Sequence, residues 1–390
     1  GYDRILPYAE CENLGLYVHI PFCKSICNFC PYCKVRYSAE LCDRYIDSLI
    51  QEIHIVGSQH AEHRKATSLY FGGGTPALAA NRIKEIVNAL SEHFIITEGI
   101  GLELHPDNVN VETLQMLKDA GVTKISIGIQ SFCDNYQKIL GRKKIDTAEM
   151  MSAVSFETVS MDFIFALPGQ TYDDLKSDID TAFLLGANHV AIYPFIDFTF
   201  TESPVTAMPK KDKRELLDAI TQYCLGKGYS RNSIWTFSSG TDANYSSMTR
   251  DNFLGFGCSA TSLFKEQFKI NTFDVDSYCE RIRSGNLATS LTIRFTKRQR
   301  MVYWLFWTAY STRVTAKDFE KFFGVSLKKM YGFELWVAKQ LGLVKEHNGT
   351  YEMTLKGAFY YHYYENFYTL SYIDKMWGIM RKEAFPEQIE

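Results

Sequence analysis

The chain has 390 residues, 46% of them hydrophobic and 22% charged, and a formal net charge of −3 at pH 7. These values are typical of a globular protein with one large domain and a smaller one. No run of five like charges occurs, which argues against a nucleic-acid-binding protein. The apolar runs are far shorter than the roughly 20 residues of a membrane span, and the N-terminal residues do not resemble a signal peptide. We therefore expect a cytoplasmic protein, monomeric by default.

Short β-branched segments alternate with longer amphipathic segments over the first half of the chain. The alternation predicts six strands, at 16–20, 68–71, 101–104, 124–129, 159–163 and 189–193. Helices are predicted between them, at 41–55, 81–94, 111–120 and 172–185. Such a series predicts an α/β fold with a parallel sheet, which is either doubly wound or a partial barrel.

The pattern changes at about residue 226. Residues 229–257 are rich in Ser, Asn, Thr and Gly, which predicts a long loop over the active end of the sheet. Residues 314–353 predict two helices and a hairpin, as in a winged helix, and 360–368 predict a helix that packs its aromatic side chains on one face. The expected parts are a sheet-and-helix domain at 1–225, a loop-rich extension at 226–291, and a helical, aromatic-rich domain that covers the substrate at 292–390.

Four of the ten cysteines lie within eleven residues: Cys23, Cys27, Cys30 and Cys33. In a reducing compartment, so tight a group indicates a metal site rather than disulfides. The group directly follows the first predicted strand, and parallel α/β folds bind ligands at the carboxyl ends of their strands. The sequence thus predicts a metal centre in this loop.

The spacing Cys23-x3-Cys27-x2-Cys30 suits an iron–sulfur cluster with one iron left free. A cubane cluster held entirely by protein needs four thiolates, so three of them leave one iron open to chelate the amino and carboxylate groups of S-adenosylmethionine (SAM). Two alternatives use Cys33 as a fourth thiolate: a closed structural zinc site, or a fully ligated electron-transfer cluster. Zinc sites usually pair two knuckles separated by about a dozen residues or more, which four cysteines in one loop match poorly.

The segment 17–30, YVHIPFCKSICNFC, resembles the signature of the radical SAM superfamily, and in particular of the oxygen-independent coproporphyrinogen III dehydrogenase family. The likeness continues in order through YFGGGTP, ISIGIQSF, MDFIFALPGQT and FLGFGCSATS, and so extends over nearly the whole chain. It implies a partial (β/α)6 TIM-type barrel and a C-terminal, mostly helical, winged-helix-like domain. It also implies a [4Fe-4S] cluster on Cys23, Cys27 and Cys30, one or two SAM molecules, and an electron donor such as flavodoxin or ferredoxin.

The resemblance assigns both ends of the methionyl group of SAM. The glycine-rich turn that it assigns to the methionyl amino group consists of Gly72, Gly73, Gly74 and Thr75. Bare backbone in such a turn lets a ligand approach closely. The resemblance assigns Glu103 and Arg142 to the methionyl end as well, and both fall at or near the carboxyl ends of successive predicted strands.

The remaining assignments concern the nucleoside and the cluster. By resemblance, Gln130 and Asp162 bind the ribose hydroxyls, and Phe29 packs near the adenine. Tyr17 and His19 flank the cluster. Each of these residue types also has a common structural role, so Phe29 is equally readable as a core aromatic and His19 as a hydrogen-bonded core histidine.

The chain departs from the family in ways that bear on its reaction. Only sixteen residues precede Tyr17, whereas the dehydrogenase carries a longer N-terminal extension that helps to form its substrate site. The interval from Arg142 to Asp162 is short for a strand–helix–strand unit, which indicates either a truncated helix around 148–154 or a stretch absent from this sequence.

The leading hypothesis for the reaction is radical C-methylation, or a related alkyl transfer, on an aromatic or tetrapyrrole (haem-like) ring. The wealth of aromatic residues suits a flat apolar substrate, because ring faces stack favourably, although the same residues also fill cores. One alternative is the oxidative decarboxylation of coproporphyrinogen III, and another is a haem chaperone of the same family. Candidates for a general base are Glu202, Asp242 and Tyr245.

Overall fold

A computed structural model describes residues 4–147, 154–201, 206–240 and 251–386 of the chain. Its strands are β1 (Leu14–Ile20), β2 (Phe22–Cys23), β3 (Val35–Arg36), β4 (Arg64–Ala66), β5 (Leu69–Gly73), β6 (Phe94–Ile96), β7 (Ile100–Leu104), β8 (Lys124–Gln130), β9 (Thr158–Phe165), β10 (His189–Pro194), β11 (Ser230–Ser233), β12 (Thr236–Ser238), β13 (Asn252–Phe256), β14 (Thr261–Leu263), β15 (Gln267–Asn271), β16 (Thr289–Arg294), β17 (Arg313–Thr315), β18 (Val344–His347) and β19 (Thr350–Met353).

The helices follow the same chain order. They are α1 (Ala39–Gly57), α2 (Ala80–Ser91), α3 (Val111–Asp119), α4 (Asp134–Ile139), α5 (Tyr172–Leu184), α6 (Lys210–Gly226), α7 (Val275–Arg283), α8 (Lys297–Ala309), α9 (Ala316–Phe323), α10 (Leu327–Gln340), α11 (Leu355–Tyr368) and α12 (Asp374–Met380). No helix among the described residues is both long and apolar enough to cross a membrane.

A twelve-stranded sheet is the centre of the fold. Its strand order is β11-β12-β10-β9-β8-β7-β5-β1-β13-β14-β15-β16, and the seven strands from β10 to β13 in this order run parallel. All six predicted strands belong to this parallel part. Over the described residues no hydrogen bonds join the two edges, as expected of a partial rather than a closed barrel. The predicted α/β class is confirmed.

Capping side chains mark the starts of the predicted helices. The side chains of Ser38 and Asn110 accept backbone N–H groups in the first turns of α1 and α3. Thr171 and Asp174 form a reciprocal capping box at the start of α5. Such caps satisfy N–H groups that a helix leaves unpaired. The local sequence therefore determines where these helices begin, and their apolar faces pack on the sheet.

The described residues of segment 226–291, which are 226–240 and 251–291, contain more regular structure than the composition of the segment indicates. Strands β11 and β12 form one edge of the sheet, β13 to β15 extend its other side, and α7 packs beside α1. The prediction of a mainly loop-rich segment is therefore corrected, because these short strands are stabilised by pairing with distant partners. Residues 148–153 and the candidate bases Glu202, Asp242 and Tyr245 lie outside the described residues.

The C-terminal part has the predicted winged-helix elements. Helices α9 and α10 are followed by the hairpin of β18 and β19, and β17 completes a three-stranded sheet in the order β17-β19-β18. This part has a small core of its own, which includes Trp304 and Phe319. Residues 360–368 lie in α11 as predicted, but Tyr360, Tyr363 and Tyr364 are exposed, so the aromatic side chains do not all pack on one face.

Candidate cofactor site

The loop that carries the cysteine motif follows β1 at the carboxyl edge of the sheet. Cys23 ends β2, which pairs with β3, so the two ends of the loop are held together. The Lys34 ammonium donates hydrogen bonds to the carbonyl oxygens of Cys27 (3.0 Å) and Cys30 (2.6 Å). This lysine, which sequence reasoning missed, closes the loop and brings a positive charge to its base.

Cys33 is engaged elsewhere. Its thiol is buried and donates to the carbonyl oxygen of Phe273 at 3.2 Å. Its sulfur, a ring nitrogen of His19 and the sulfur of Cys258 all lie within 4.8 Å of one another. Among the described residues, this distance groups neither Cys33 with the other three loop cysteines nor those three with one another. Hydrogen bonds with Cys258 and then His19 lower the pKa of the Cys33 thiol. The geometry therefore disfavours both alternatives that used Cys33 as a fourth thiolate of the loop.

The glycine-rich turn packs directly on the cysteine loop. The backbone N–H of Gly74 donates to the Ile20 carbonyl (2.9 Å), and that of Thr75 donates to the Phe22 carbonyl (2.7 Å). A Cβ atom on Gly74 would lie 2.7 Å from the Phe22 oxygen and 2.9 Å from the Cys23 sulfur. Glycine is thus required here because the backbone passes too close to the loop for any side chain.

Gly73 supports a prediction about stability. Its φ is +121°, a conformation that favours glycine, and a Cβ atom would lie 2.8 Å from the His19 ring. Gly73→Ala is expected to lower the free energy of unfolding by about 1–3 kcal/mol, because backbone strain and a steric clash add. Gly226→Ala is the control: no atom lies within 4 Å of its Cβ position, so equal or higher stability is expected. Chemical unfolding curves of both variants test this, and equal curves for Gly73→Ala and wild type would contradict it.

Two carboxyl groups, on β7 and β9, lie near enough to influence each other. Glu103 accepts hydrogen bonds from the Tyr70 hydroxyl (2.9 Å) and the Gly73 backbone N–H (3.2 Å). Asp162 accepts from the hydroxyls of Ser126 (2.6 Å) and Ser160 (3.1 Å). Burial raises the pKa of Glu103 to about 7, and the charge of Asp162 adds to this rise. Burial likewise raises the pKa of Asp162 to about 6. Carboxyl groups with pKa values raised by burial are common at binding sites, and these two can accept hydrogen bonds from an ammonium or hydroxyl group of a ligand.

A basic group lies over the end of β8. The Arg142 guanidinium donates to the carbonyl oxygens of Gly128 and Ile129, while its buried Nε–H has no hydrogen-bond partner. Gln130, with φ +71° at the strand end, has its side-chain nitrogen 3.1 Å from the Cβ position of Gly128. Burial, and next the charge of Arg142, lowers the pKa of His105 to about 4. The unpaired Nε–H of Arg142 and the positive charge of its guanidinium together suit the carboxylate group of an amino-acid ligand.

Phe29 packs as a core aromatic residue, and its predicted role beside the adenine stays a prediction. It lies against an apolar cluster that contains Tyr136, Leu140, Ile164, Leu167 and Phe195. This cluster joins α4 to the ends of β9 and β10, so Phe29 connects the cysteine loop to the far side of the site.

An aromatic wall stands over the carboxyl edge of the sheet, and sequence reasoning missed it. We use this name for Tyr32, Tyr193, Tyr310 and Trp377. Tyr32 contacts Trp377 at a ring distance of 6.2 Å. Burial, followed by the proximity of Tyr310 and Asp162, raises the pKa of Tyr193 well above its usual value. Although protein atoms desolvate both phenol groups, the side chains of Tyr32 and Tyr193 are 53% and 43% exposed and so present surface that a ligand can contact. Only Tyr193 carried a sequence signal, as an aromatic residue near the carboxyl end of a predicted strand.

The C-terminal part is anchored over the cysteine loop. Asp374 at the start of α12 accepts hydrogen bonds from the backbone N–H (2.8 Å) and the hydroxyl (2.5 Å) of Thr199. Arg381 donates to the carbonyl oxygen of Pro31 in the loop. These contacts hold Trp377 above the site, which is therefore shaped by both ends of the chain.

Comparisons with known proteins agree with this geometry. The sequence profile of the Radical SAM superfamily matches residues 17–182. The chain is 28% identical to "Heme chaperone HemW" of Lactococcus lactis, over 87% of this chain and 93% of the relative. It is 26% identical to "Oxygen-independent coproporphyrinogen III oxidase" of Pseudomonas aeruginosa, over 70% of this chain and 67% of the relative.

A solved structure shares the overall fold. The structure of coproporphyrinogen III oxidase (HemN) from Escherichia coli, a radical SAM enzyme, superimposes with a TM-score of 0.76 at 22% identity, and the match covers 90% of this chain and 88% of that one. The cysteine loop, the two carboxyl groups and the unpaired guanidinium donor fit an iron–sulfur cluster and an amino-acid-containing cofactor. Residues 17–182 therefore form a radical SAM domain, and the chain uses the cofactors of that superfamily, a [4Fe-4S] cluster and SAM.

Proposed function

We propose that this radical SAM enzyme abstracts a hydrogen atom from a tetrapyrrole, and that its reaction is the oxidative decarboxylation of a porphyrinogen. One observation carries the proposal: the carboxyl groups of Glu103 and Asp162, which we assign to SAM, lie close enough to Tyr32 and Tyr193 of the aromatic wall to add to the rise that burial causes in the pKa of both phenols. The names of the relatives, a coproporphyrinogen III oxidase and a haem chaperone, supply the substrate class. A flat macrocycle stacks well on ring faces such as those of Tyr32 and Tyr193.

In this proposal, different residues around the pocket bind different parts of the cofactors. Cys23, Cys27 and Cys30 hold the cluster beside Tyr17. The turn of Gly72 to Thr75, with Gly73 and Gly74, receives the methionyl amino group. Glu103 and Arg142 bind the rest of the methionyl end, Gln130 and Asp162 bind the ribose, and Phe29 packs beside the adenine. Charge-assisted hydrogen bonds to Arg142 are the strongest of these contacts.

The chemistry depends on both the cofactors and the enclosure of the site. When bound, the cluster and SAM supply a 5′-deoxyadenosyl radical that takes a hydrogen atom from the substrate. Loss of that atom from the β-carbon of a propionate, followed by loss of CO2 and of one electron to an external acceptor, leaves a vinyl group. Trp377 and Tyr310 of the aromatic wall would exclude water from a substrate bound there. An electron donor such as flavodoxin or ferredoxin reduces the cluster, and the chain acts as a monomer.

A haem chaperone is the second candidate, because the similarity to HemW extends over 87% of this chain and 93% of the relative. Both candidates were alternatives in the sequence analysis. Methyl transfer to a ring, the leading hypothesis there, gains no support from these relatives, so we do not retain it as the main function.

Product analysis separates the candidates. The reconstituted protein is incubated without oxygen with reductant, SAM and either coproporphyrinogen III or haem. Decarboxylation yields CO2, a vinyl product and 5′-deoxyadenosine only with the porphyrinogen. Stoichiometric haem binding without turnover favours the chaperone and contradicts the decarboxylase. S-adenosylhomocysteine alongside 5′-deoxyadenosine contradicts both and restores methyl transfer.

The affinity for SAM is expected to depend on pH through Glu103. In the free protein its raised pKa of about 7 keeps the group largely protonated below that pH, with Asp162, Tyr70 and His19 as its titratable neighbours. The methionyl amino group favours the carboxylate, so the affinity is expected to rise with pH up to about 7 and then level off. Equilibrium dialysis between about pH 6 and pH 8 measures this. Glu103→Gln should have a flatter profile, and identical slopes in the two proteins would contradict the assignment.

A further inference from the structure

Three metal-ligating side chains lie together beside the proposed cofactor pocket. They are His19, Cys33 and Cys258, which are 4%, 6% and 0% exposed. Their ligand atoms all lie within 4.8 Å of one another. The hydroxyl of Ser259 adds a fourth polar atom, 3.2 Å from the Nε2 atom of His19. Two sulfurs, one imidazole and one hydroxyl therefore converge in the interior of the protein.

The three residues come from separate segments that meet at this point. His19 lies near the end of β1, Cys33 lies at the end of the cysteine loop, and Cys258 follows β13. Strands β1 and β13 are parallel neighbours, so the fold brings their carboxyl ends together. A group that binds all three joins the cysteine loop to the sheet.

Neighbouring groups hold these side chains in position. The Tyr17 hydroxyl is hydrogen-bonded to Nδ1 of His19 at 3.1 Å, and Nε2 of His19 lies 3.0 Å from the carbonyl oxygen of Cys33, so the ring is held from both sides. The Tyr45 hydroxyl accepts from the backbone N–H of Cys258 (3.0 Å) and donates to the His19 carbonyl (2.6 Å). Metal-binding histidines commonly have the second ring nitrogen fixed in this way, which orients the first toward the ion.

The set of ligands favours one kind of ion. Zinc binds thiolates and imidazole in tetrahedral sites at about 2.0–2.3 Å, and structural zinc sites are closed to solvent. Two thiolates neutralise the charge of Zn²⁺, so the complex has no net charge to bury in this apolar region. We propose that His19, Cys33 and Cys258 bind a structural Zn²⁺ ion, with the Ser259 oxygen as the fourth ligand. This site is separate from the [4Fe-4S] cluster and does not depend on the identity of the tetrapyrrole reaction.

Metal analysis of variants tests the proposal. The protein purified without oxygen is expected to contain one zinc ion per chain in addition to its iron, and X-ray absorption at the zinc edge should show two sulfur ligands. Cys33→Ser and Cys258→Ser should each lose zinc and keep iron. Cys27→Ser should lose iron and keep zinc, which separates this site from the cluster. Cys224→Ser, which changes another fully buried cysteine, should keep both metals.

Other outcomes overturn the proposal. They are iron-replete wild-type protein that neither contains zinc nor takes it up during dialysis, zinc retained by Cys258→Ser, or a Cys33–Cys258 disulfide found by mass spectrometry of protein purified without oxygen. If Cys258→Ser does not fold, titration of zinc-depleted wild-type protein with Co²⁺ decides the question, because thiolate ligation gives intense near-ultraviolet absorption. If that absorption does not appear, the zinc proposal is contradicted as well. None of these measurements uses SAM cleavage, so the zinc site and the proposed function can fail independently.

Discussion

Cys27→Ser is expected to reduce SAM cleavage to background and to remove most of the iron. Cys27 lies in the loop that Lys34 closes, where three thiolates are available for the cluster and Cys33 is bound elsewhere. Since no fourth cysteine of the loop substitutes for it, the cluster is left with two protein thiolates. Iron and sulfide analysis of the reconstituted protein, together with the yield of 5′-deoxyadenosine, measures the effect.

Two controls make this result specific. Cys224→Ser changes a buried cysteine of α6 and should keep both iron and SAM cleavage. Cys33→Ser should also keep its iron, because the thiol of Cys33 contacts Phe273 and lies with His19 and Cys258. If Cys33→Ser loses the cluster while Cys27→Ser retains it, the assignment of the three ligands is wrong.

Arg142→Met is expected to weaken SAM binding by about 30-fold or more. The substitution keeps an apolar stem of similar length and removes the guanidinium that we assign to the methionyl carboxylate. Leaving one member of a buried charge pair without its partner typically costs about 2 kcal/mol or more, and 1.4 kcal/mol corresponds to a factor of ten in affinity. The dissociation constant of SAM, measured on the cluster-loaded protein, tests the prediction.

The neighbouring Lys143 provides the matched control. It is exposed, so Lys143→Met removes a charge of the same sign without changing the pocket, and its affinity for SAM should equal that of wild type. Arg142→Lys should restore little of the loss, because an ammonium cannot reproduce the planar, two-pronged contact of a guanidinium. A normal dissociation constant in Arg142→Met would exclude Arg142 from the methionyl site. If every variant contains as much iron as wild type, the substitution changes the binding of SAM and not the binding of the cluster.

Local patterns in the sequence predicted the elements that position the cofactors. The six parallel strands, the four helices between them and the winged-helix elements were all predicted from apolar periodicity, which acts over a few residues. The cysteine spacing is equally local, since one loop contains all three proposed ligands. Segment 226–291 was mispredicted as mainly loop because its short strands are stabilised only by distant partners in the sheet.

The sequence by itself therefore determined the α/β class, the cysteine loop and the carboxyl-end residues Glu103 and Asp162, because these depend on short-range patterns. Only the tertiary structure decided which residues stand opposite one another. It joined Cys33 to Cys258 and His19, left the Arg142 Nε–H without a partner, and brought Trp377 from the C-terminal part over the loop. The physical reason is that these contacts join residues far apart in the chain, and chain folding, rather than any local preference, brings such residues together.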